Sequence, residues 1–137
     1  MNELLVALAL WLTTNGIPVN PDPKVVYMTQ EELQATYYGP SGGPSTLGGV
    51  YYFDFDSGVG TIHLLKDFDP TNKEDQAILL HELVHHHQGT HQLQYSCQAH
   101  YEAEAYYVEQ LWRRENNLRP SIGPITIAQL FMCISIP

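Results

Sequence analysis

His81-Glu82-Leu83-Val84-His85 sets two imidazoles four residues apart, with a carboxylate directly after the first. On a helix, residues four apart project from one face, so both rings can reach a single ion. Zinc accepts neutral imidazole nitrogen, and a catalytic zinc site keeps one of its four positions for water. Glu82 stands beside His81 around such a helix, turned toward that position. It is placed there as a general base, while the ion lowers the pKa of water toward neutrality. Given this chain's content of His and Glu, an HExxH match arises by chance roughly 2% of the time, the false-positive risk such motifs carry. Apolar residues before it (Ile78, Leu79, Leu80) and within it (Leu83, Val84) set the match inside an amphipathic run. The competing reading is a solvated His-rich helix end, or an adventitious metal tract from His85-His86-His87. The motif and its setting outweigh it.

Such a site needs a third protein ligand. The next long helical stretch bears Tyr101-Glu102-Ala103-Glu104-Ala105-Tyr106. Glu102 and Ala105 share a face, and a small Ala beside a ligating Glu lets two helices approach closely. Glu104 lies about 200° around the helix from Glu102, so the two cannot face the same ion. Glu102 is favoured, Glu104 is the main rival, and His100 or His91 are further candidates. Tyr95, Tyr101 and Tyr106 are the phenols nearest in sequence, able to donate to a developing oxyanion; packing is the commoner role of a Tyr. His86 and His87 point away from the ion if His85 binds it. Glu109 and Gln110 support the ligands or lie on the surface. His63, alternating with Thr61 and Leu65, reads as a surface or satisfied histidine. Asp54 and Asp56 are explained by turn chemistry better than by a cation.

The elements that must position these groups follow from pattern. A first helix is expected from about Asn2 to Thr14, ended by Asn15-Gly16. Lys24–Met28 has strand composition. Thr29 with Glu32 forms a capping-box pattern ahead of a short helix, Gln30–Thr36. Gly39–Gly49 is a Gly/Pro/Ser loop. Val50–Phe55 and Thr61–Leu65 read as an antiparallel hairpin. Thr71 or Asn72 caps a helix Lys73–Gln88, stopped by Gly89. A second long helix runs from Gln98 to Asn116, and a last short one from Thr126 to Cys133. The order implies a single α+β domain over 1–137, with a small antiparallel sheet against a helical pair.

Composition narrows the function classes. The 137 residues are 44% hydrophobic and 15% charged, enough apolar material for one core. The net charge of −9 comes without any cluster of Lys or Arg, which argues against nucleic acid as a partner. No apolar run approaches the roughly 18–20 residues of a membrane span. Leu4–Leu12 is apolar but follows Glu3 with no basic residue ahead, so it reads as a core helix rather than a signal peptide. The two cysteines, Cys97 and Cys133, are either one disulfide or two buried thiols. A bridge would stabilise by about 3–4 kcal/mol on the chain-entropy model and would favour an exported or periplasmic location.

HELVHHH followed by E-x-x-A on the next helix resembles the zincin-like metallopeptidase superfamily, in its glutamate-ligand branch. The whole chain is also similar to a small bacterial family of such domains, with a hairpin before HELVHH, a Cys just ahead of the Glu helix and a final Cys. The resemblance implies a zincin-like fold, zinc held by His81, His85 and Glu102, and hydrolysis of a peptide or protein substrate with Glu82 as general base. It also implies that an extended substrate adds to a strand edge of the Val50–Leu65 hairpin. One position departs from the pattern. Zincin peptidases often carry an aspartate right after that Ala, and here it is Tyr106, so support for a ligating His must come from elsewhere. The alternative function is a non-catalytic zinc-binding structural or regulatory module. A zinc-free helical interaction protein is a weaker third.

Overall fold

The computed structural model describes residues 1–40, 42–43 and 47–134. Five helices and three strands follow in the order α1 (Asn2–Thr14), β1 (Lys24–Met28), α2 (Gln30–Tyr38), β2 (Gly49–Asp54), β3 (Val59–Leu65), α3 (Lys73–Thr90), α4 (Gln98–Glu115) and α5 (Pro124–Phe131). The architecture is α+β. Of the expected loop 39–49, residues 41 and 44–46 lie outside the described residues.

β3 is the central strand of a sheet ordered β1-β3-β2. β2 and β3 form the expected antiparallel hairpin, registered from Gly49 opposite Leu64 to Asp54 opposite Val59. β1 joins the other edge of β3 in parallel, from Lys24 opposite Thr61 to Met28 opposite Leu65. The sheet is therefore mixed, where composition suggested an antiparallel one. The physical reason is the connection: α2 and its loop lie between β1 and the hairpin, and a crossover of that length permits a parallel neighbour. β2 is left as an edge strand.

Local chemistry explains most boundaries. Thr29 accepts from the Glu32 amide at 3.1 Å while Glu32 accepts from the Thr29 amide at 3.0 Å, completing the capping box and stabilising the start of α2 by about 1 kcal/mol. α2 then runs past Thr36 to Tyr38, which brings two tyrosines to its end. Asn72 caps α3, accepting from the Asp75 amide. Gly89 does not stop α3, which continues to Thr90. A Cβ there would sit 2.9 Å from Phe53 Cγ, so the glycine serves close packing against β2. α5 starts at Pro124, a residue that suits the first turn of a helix, and ends at Phe131.

α3 is the hub of the molecule, in contact with α1, β2, β3 and α4. Its Ala77, Leu79, Leu80, Leu83 and Val84 are fully buried, and they join Leu5, Leu8 and Leu12 of α1, Ile62 and Leu64 of β3, and Ala105, Val108 and Trp112 of α4 in one core. His81, Glu82, His86, His87 and Gln88 are buried on the same helix. Buried polar groups are tolerated only with partners, and each of the three buried histidines and Gln88 has one, as described below. α5 packs on α4 and is tied to it by a disulfide between Cys97 and Cys133, 36 residues apart. Among the described residues no helix is long and apolar enough to cross a membrane.

The sheet approaches α3 most closely at Gly60, where an added Cβ would lie 2.2 Å from Tyr51 Oη and 2.4 Å from His86 Nδ1. Tyr51 Oη lies 2.7 Å from that nitrogen, and His86 Nε2 lies 3.2 Å from Asp22 Oδ1. A carboxylate only accepts, so Nε2 carries the proton and Tyr51 donates to Nδ1. Gly60→Ala should therefore break this pair and cost about 1–3 kcal/mol by overpacking, read as a lower urea midpoint. An unchanged midpoint would show that Tyr51 moves aside freely.

Candidate metal centre

α3 and α4 run side by side, and the small Ala105 is completely buried in the core they share. This close approach carries Glu102 over the two motif histidines. Glu102 Oε1 lies 3.6 Å from His81 Nε2 and touches His85 Nε2 directly. The His81 and His85 rings are 5.0 Å apart between centroids. His81, His85 and Glu102 form a group able to hold a metal ion, each offering one ligand atom, with these atoms all within 4.8 Å of one another.

The remaining ring nitrogens are spoken for, and this sets the tautomers. His81 Nδ1 donates to Glu109 Oε1 at 2.9 Å. His85 Nδ1 lies 2.7 Å from Gln88 Oε1. The Gln88 amide nitrogen donates to Tyr101 O at 2.9 Å and to Glu104 Oε1 at 3.1 Å, so its oxygen must face His85 and accept. Both imidazoles thus carry a proton on Nδ1 and turn Nε2 toward Glu102. In the metal-free protein Nε2–H donates to that carboxylate. On loss of this proton Nε2 has its lone pair free for an ion, the orientation that such partners give a metal-ligating histidine. Glu109 is itself held. Arg113 Nε donates to it at 2.6 Å and Ser121 at 2.8 Å, while Arg113 makes a forked pair with Glu74. Gln110 exchanges hydrogen bonds with Ser121 and steadies it.

Charge shapes the site. Burial would lower the pKa of His81 and His85, but Glu102 beside both, and Glu109 beside His81, raise them above the ordinary imidazole value. Burial would raise Glu102, yet its contacts with the two imidazoles hold it well below the usual carboxylate range. Glu82, buried next to the pair, is pushed up by burial, with His81 and His85 opposing. A carboxylate of raised proton affinity is suited to take a proton near neutral pH. Glu109 is lowered against its burial by His81, Arg113 and Ser121.

The other candidates fall elsewhere. Glu104 is not a solvated carboxylate: it accepts from Tyr95 at 2.9 Å and from Gln88, and so supports His85 indirectly. His100 stacks on Tyr95 at 4.4 Å, and His91 packs on His87 at 4.5 Å. His86 and His87 turn away from Glu102, toward Tyr51 and Asp22 and toward the Pro18 carbonyl. The hydroxyls of Tyr95 and Tyr101 are used by Glu104 and Leu93 O. Tyr106 stays close, its ring 4.6 Å from His81. Asp54 caps its own turn by accepting from the Asp56 amide. His63 is a correction: its Nδ1 is buried without a hydrogen-bond partner, because its cross-strand neighbours are Val26 and Val50.

Two groups escape sequence reasoning. Tyr37, at the end of α2, lies near enough to Glu102 and Glu82 that their charges, after burial, raise its pKa. Burial and the same carboxylates, with Glu109, push Tyr106 up to about 12. Both phenols stay protonated donors at neutral pH. Nothing in α2's pattern signals that its end reaches the site. Gln88, by contrast, lies three residues after His85, one helical turn on, and spacing alone could have found it.

The chain belongs to the family described as domain of unknown function (DUF6647), whose profile matches residues 1–135. No curated protein and no solved structure matches it.

Two outcomes follow from the geometry. Glu109→Gln or Gln88→Ala should weaken divalent-metal affinity roughly 10–100-fold without unfolding the chain, measured by competition with a chromophoric chelator. Unchanged affinity would show that the Nδ1 partners are irrelevant to the ion. Because His81 and His85 are raised above 6.5 in the metal-free protein, metal binding at pH 7 should release protons. Their protonated forms stabilise the metal-free fold fully below the unfolded imidazole pKa, and this contribution is lost as pH climbs through the raised folded values. The thermal stabilisation given by metal should therefore grow with pH above 6.5. Calorimetry in two buffers of different ionisation enthalpy checks the proton release, and a buffer-independent heat would contradict it.

Proposed function

We propose that this chain is a zinc-dependent hydrolase that cleaves peptide bonds, related to the zincin-like peptidases with a glutamate third ligand. The observation that carries the reading is the meeting of His81 Nε2, His85 Nε2 and Glu102 Oε1 within 4.8 Å, with the Glu82 carboxylate buried beside them. Two imidazoles and one carboxylate, all from neighbouring helices, suit zinc, which in hydrolytic sites takes three protein ligands and leaves a position open. Zinc there would supply Lewis acidity toward a carbonyl and toward water.

The chain's own residues have defined parts in this scheme. Glu82 takes the proton of the attacking water and passes it to the leaving amine. Tyr106 and Tyr37 donate to the oxyanion that forms on the scissile carbonyl. Glu109 and Gln88 hold the two imidazoles in one tautomer and orientation. Gly49 of β2 runs next to Glu82, a Cβ on it coming 3.3 Å from the carboxylate. β2 pairs with β3 on one side, and among the described residues its other edge makes no backbone hydrogen bond to another element. An extended peptide can pair with that edge and bring a carbonyl to the ion. The Cys97–Cys133 disulfide supports a location outside the reducing cytosol, exported or periplasmic.

A second reading, a metal-holding module without activity, draws on the support network around both imidazoles, which would serve a structural ion equally. Glu82 separates the two. Glu82→Gln should keep zinc bound while lowering hydrolysis of a random peptide library at least 100-fold, the lower end for a lost general base. Wild-type protein that holds zinc and cleaves nothing would overturn the enzymatic reading in favour of the module.

A further inference from the structure

The cleft above the metal centre, about 1000 Å³ in volume, extends along β2 well past Glu82. Residues 49, 51 and 53 of this strand face α3: Gly49 meets Glu82, Tyr51 bonds His86, and Phe53 lies on the bare backbone of Gly89. Phe55 continues the row, its ring edge-to-face with Phe53 at 5.0 Å, and Leu93 lines the same end of the cleft. Phe55 is 72% exposed. An isolated exposed apolar side chain is ordinary, but this one is the outer half of an aromatic pair that lines a cleft.

We propose that Phe53, Phe55 and Leu93 form a subsite for a large apolar or aromatic side chain of an extended, non-acidic peptide. The inference rests on the hydrolase reading for the position of the scissile bond. A peptide added antiparallel to β2 runs opposite to it, so its N-terminal part lies toward Phe53. Phe53 stands four residues along β2 from Gly49, about 13 Å. The side chain received there is thus about four residues before the bond beside Glu82, on the cleft-facing side of the added strand.

Charge selects the same class of partner. Glu82, Glu102 and Glu109 line the cleft, and among its lining residues Arg113 is the one Lys or Arg. Arg113 is already paired with Glu74 and Glu109. No free Lys or Arg side chain of the lining is offered to an acidic peptide, while the chain as a whole carries −9. The net negative charge of the chain disfavours acidic peptides and not neutral or basic ones.

The test uses the full chain with its disulfide intact, loaded with zinc and carrying Glu82→Gln, to select from a displayed random dodecapeptide library. Selected peptides should be enriched in Phe, Tyr, Trp or Leu and depleted in Asp and Glu. Phe55→Ala, at an exposed position where folding is not at stake, should weaken binding of a selected peptide about tenfold, and Phe55→Trp should restore it. Selection without aromatic or large apolar enrichment, or an affinity unmoved by Phe55→Ala, would overturn the subsite. The wild type is assayed in parallel for cleavage of the same library. Cleavage with no such preference sinks the subsite and leaves the hydrolase. Aromatic selection with no zinc-dependent cleavage leaves the peptide site and sinks the hydrolase.

Discussion

Two imidazoles and a carboxylate share a space from which neighbouring helices exclude most water, and the rest of the fold is arranged around that crowding. Three carboxylates, Glu82, Glu102 and Glu109, are gathered near His81, and Arg113 is the fixed cation among them. Negative charge accumulated in a poorly solvated site demands positive charge. The demand is visible in the histidines, whose affinity for protons is raised although burial alone would lower it. A divalent ion held by His81, His85 and Glu102 would meet the same demand and replace those protons.

Holding such a group takes a helix buried on most sides, and α3 is one. Its contacts with the sheet depend on residues without side chains: Gly49 against Glu82, Gly60 against Tyr51 and His86, Gly89 against Phe53. On the far side, the small Ala105 allows α4 to lie close. Cys97, five residues ahead of Glu102, fastens the start of α4 to Cys133, just past α5. Chain-entropy arguments assign the bridge about 3–4 kcal/mol through the unfolded state. Its local consequence is that the helix carrying Glu102 begins at a fixed point.

What could be read from sequence divides by range. His81, Glu82 and His85 are legible because one helix turn brings them together, and Glu102 because E-x-x-A places a carboxylate beside a small residue. The β-rich runs Val50–Phe55 and Thr61–Leu65, with Asp56-Ser57-Gly58 between them, show the hairpin. Three features were out of reach for physical reasons. The parallel pairing of β1 depends on how α2 packs, which no pattern in KVVYM encodes. Tyr37 reaches the site only because α2 is longer than its cap and composition indicate. Gly89 has the look of a helix stop, yet tertiary contact with Phe53 overrides its local preference. Glu109 is intermediate: two turns beyond Glu102 and on the same face, it stands one turn after the position where the resemblance leads one to expect an aspartate.

The central claim is that one divalent ion sits between α3 and α4 on two imidazoles and a carboxylate. Zinc-edge X-ray absorption on the purified full chain tests this most directly. The account predicts one zinc per chain, with two imidazole nitrogens at about 2.0–2.1 Å and oxygen completing the shell, and loss of one imidazole's scattering in His85→Ala. Protein that retains no zinc, or a zinc environment unchanged when His81 and His85 are both replaced, would contradict it.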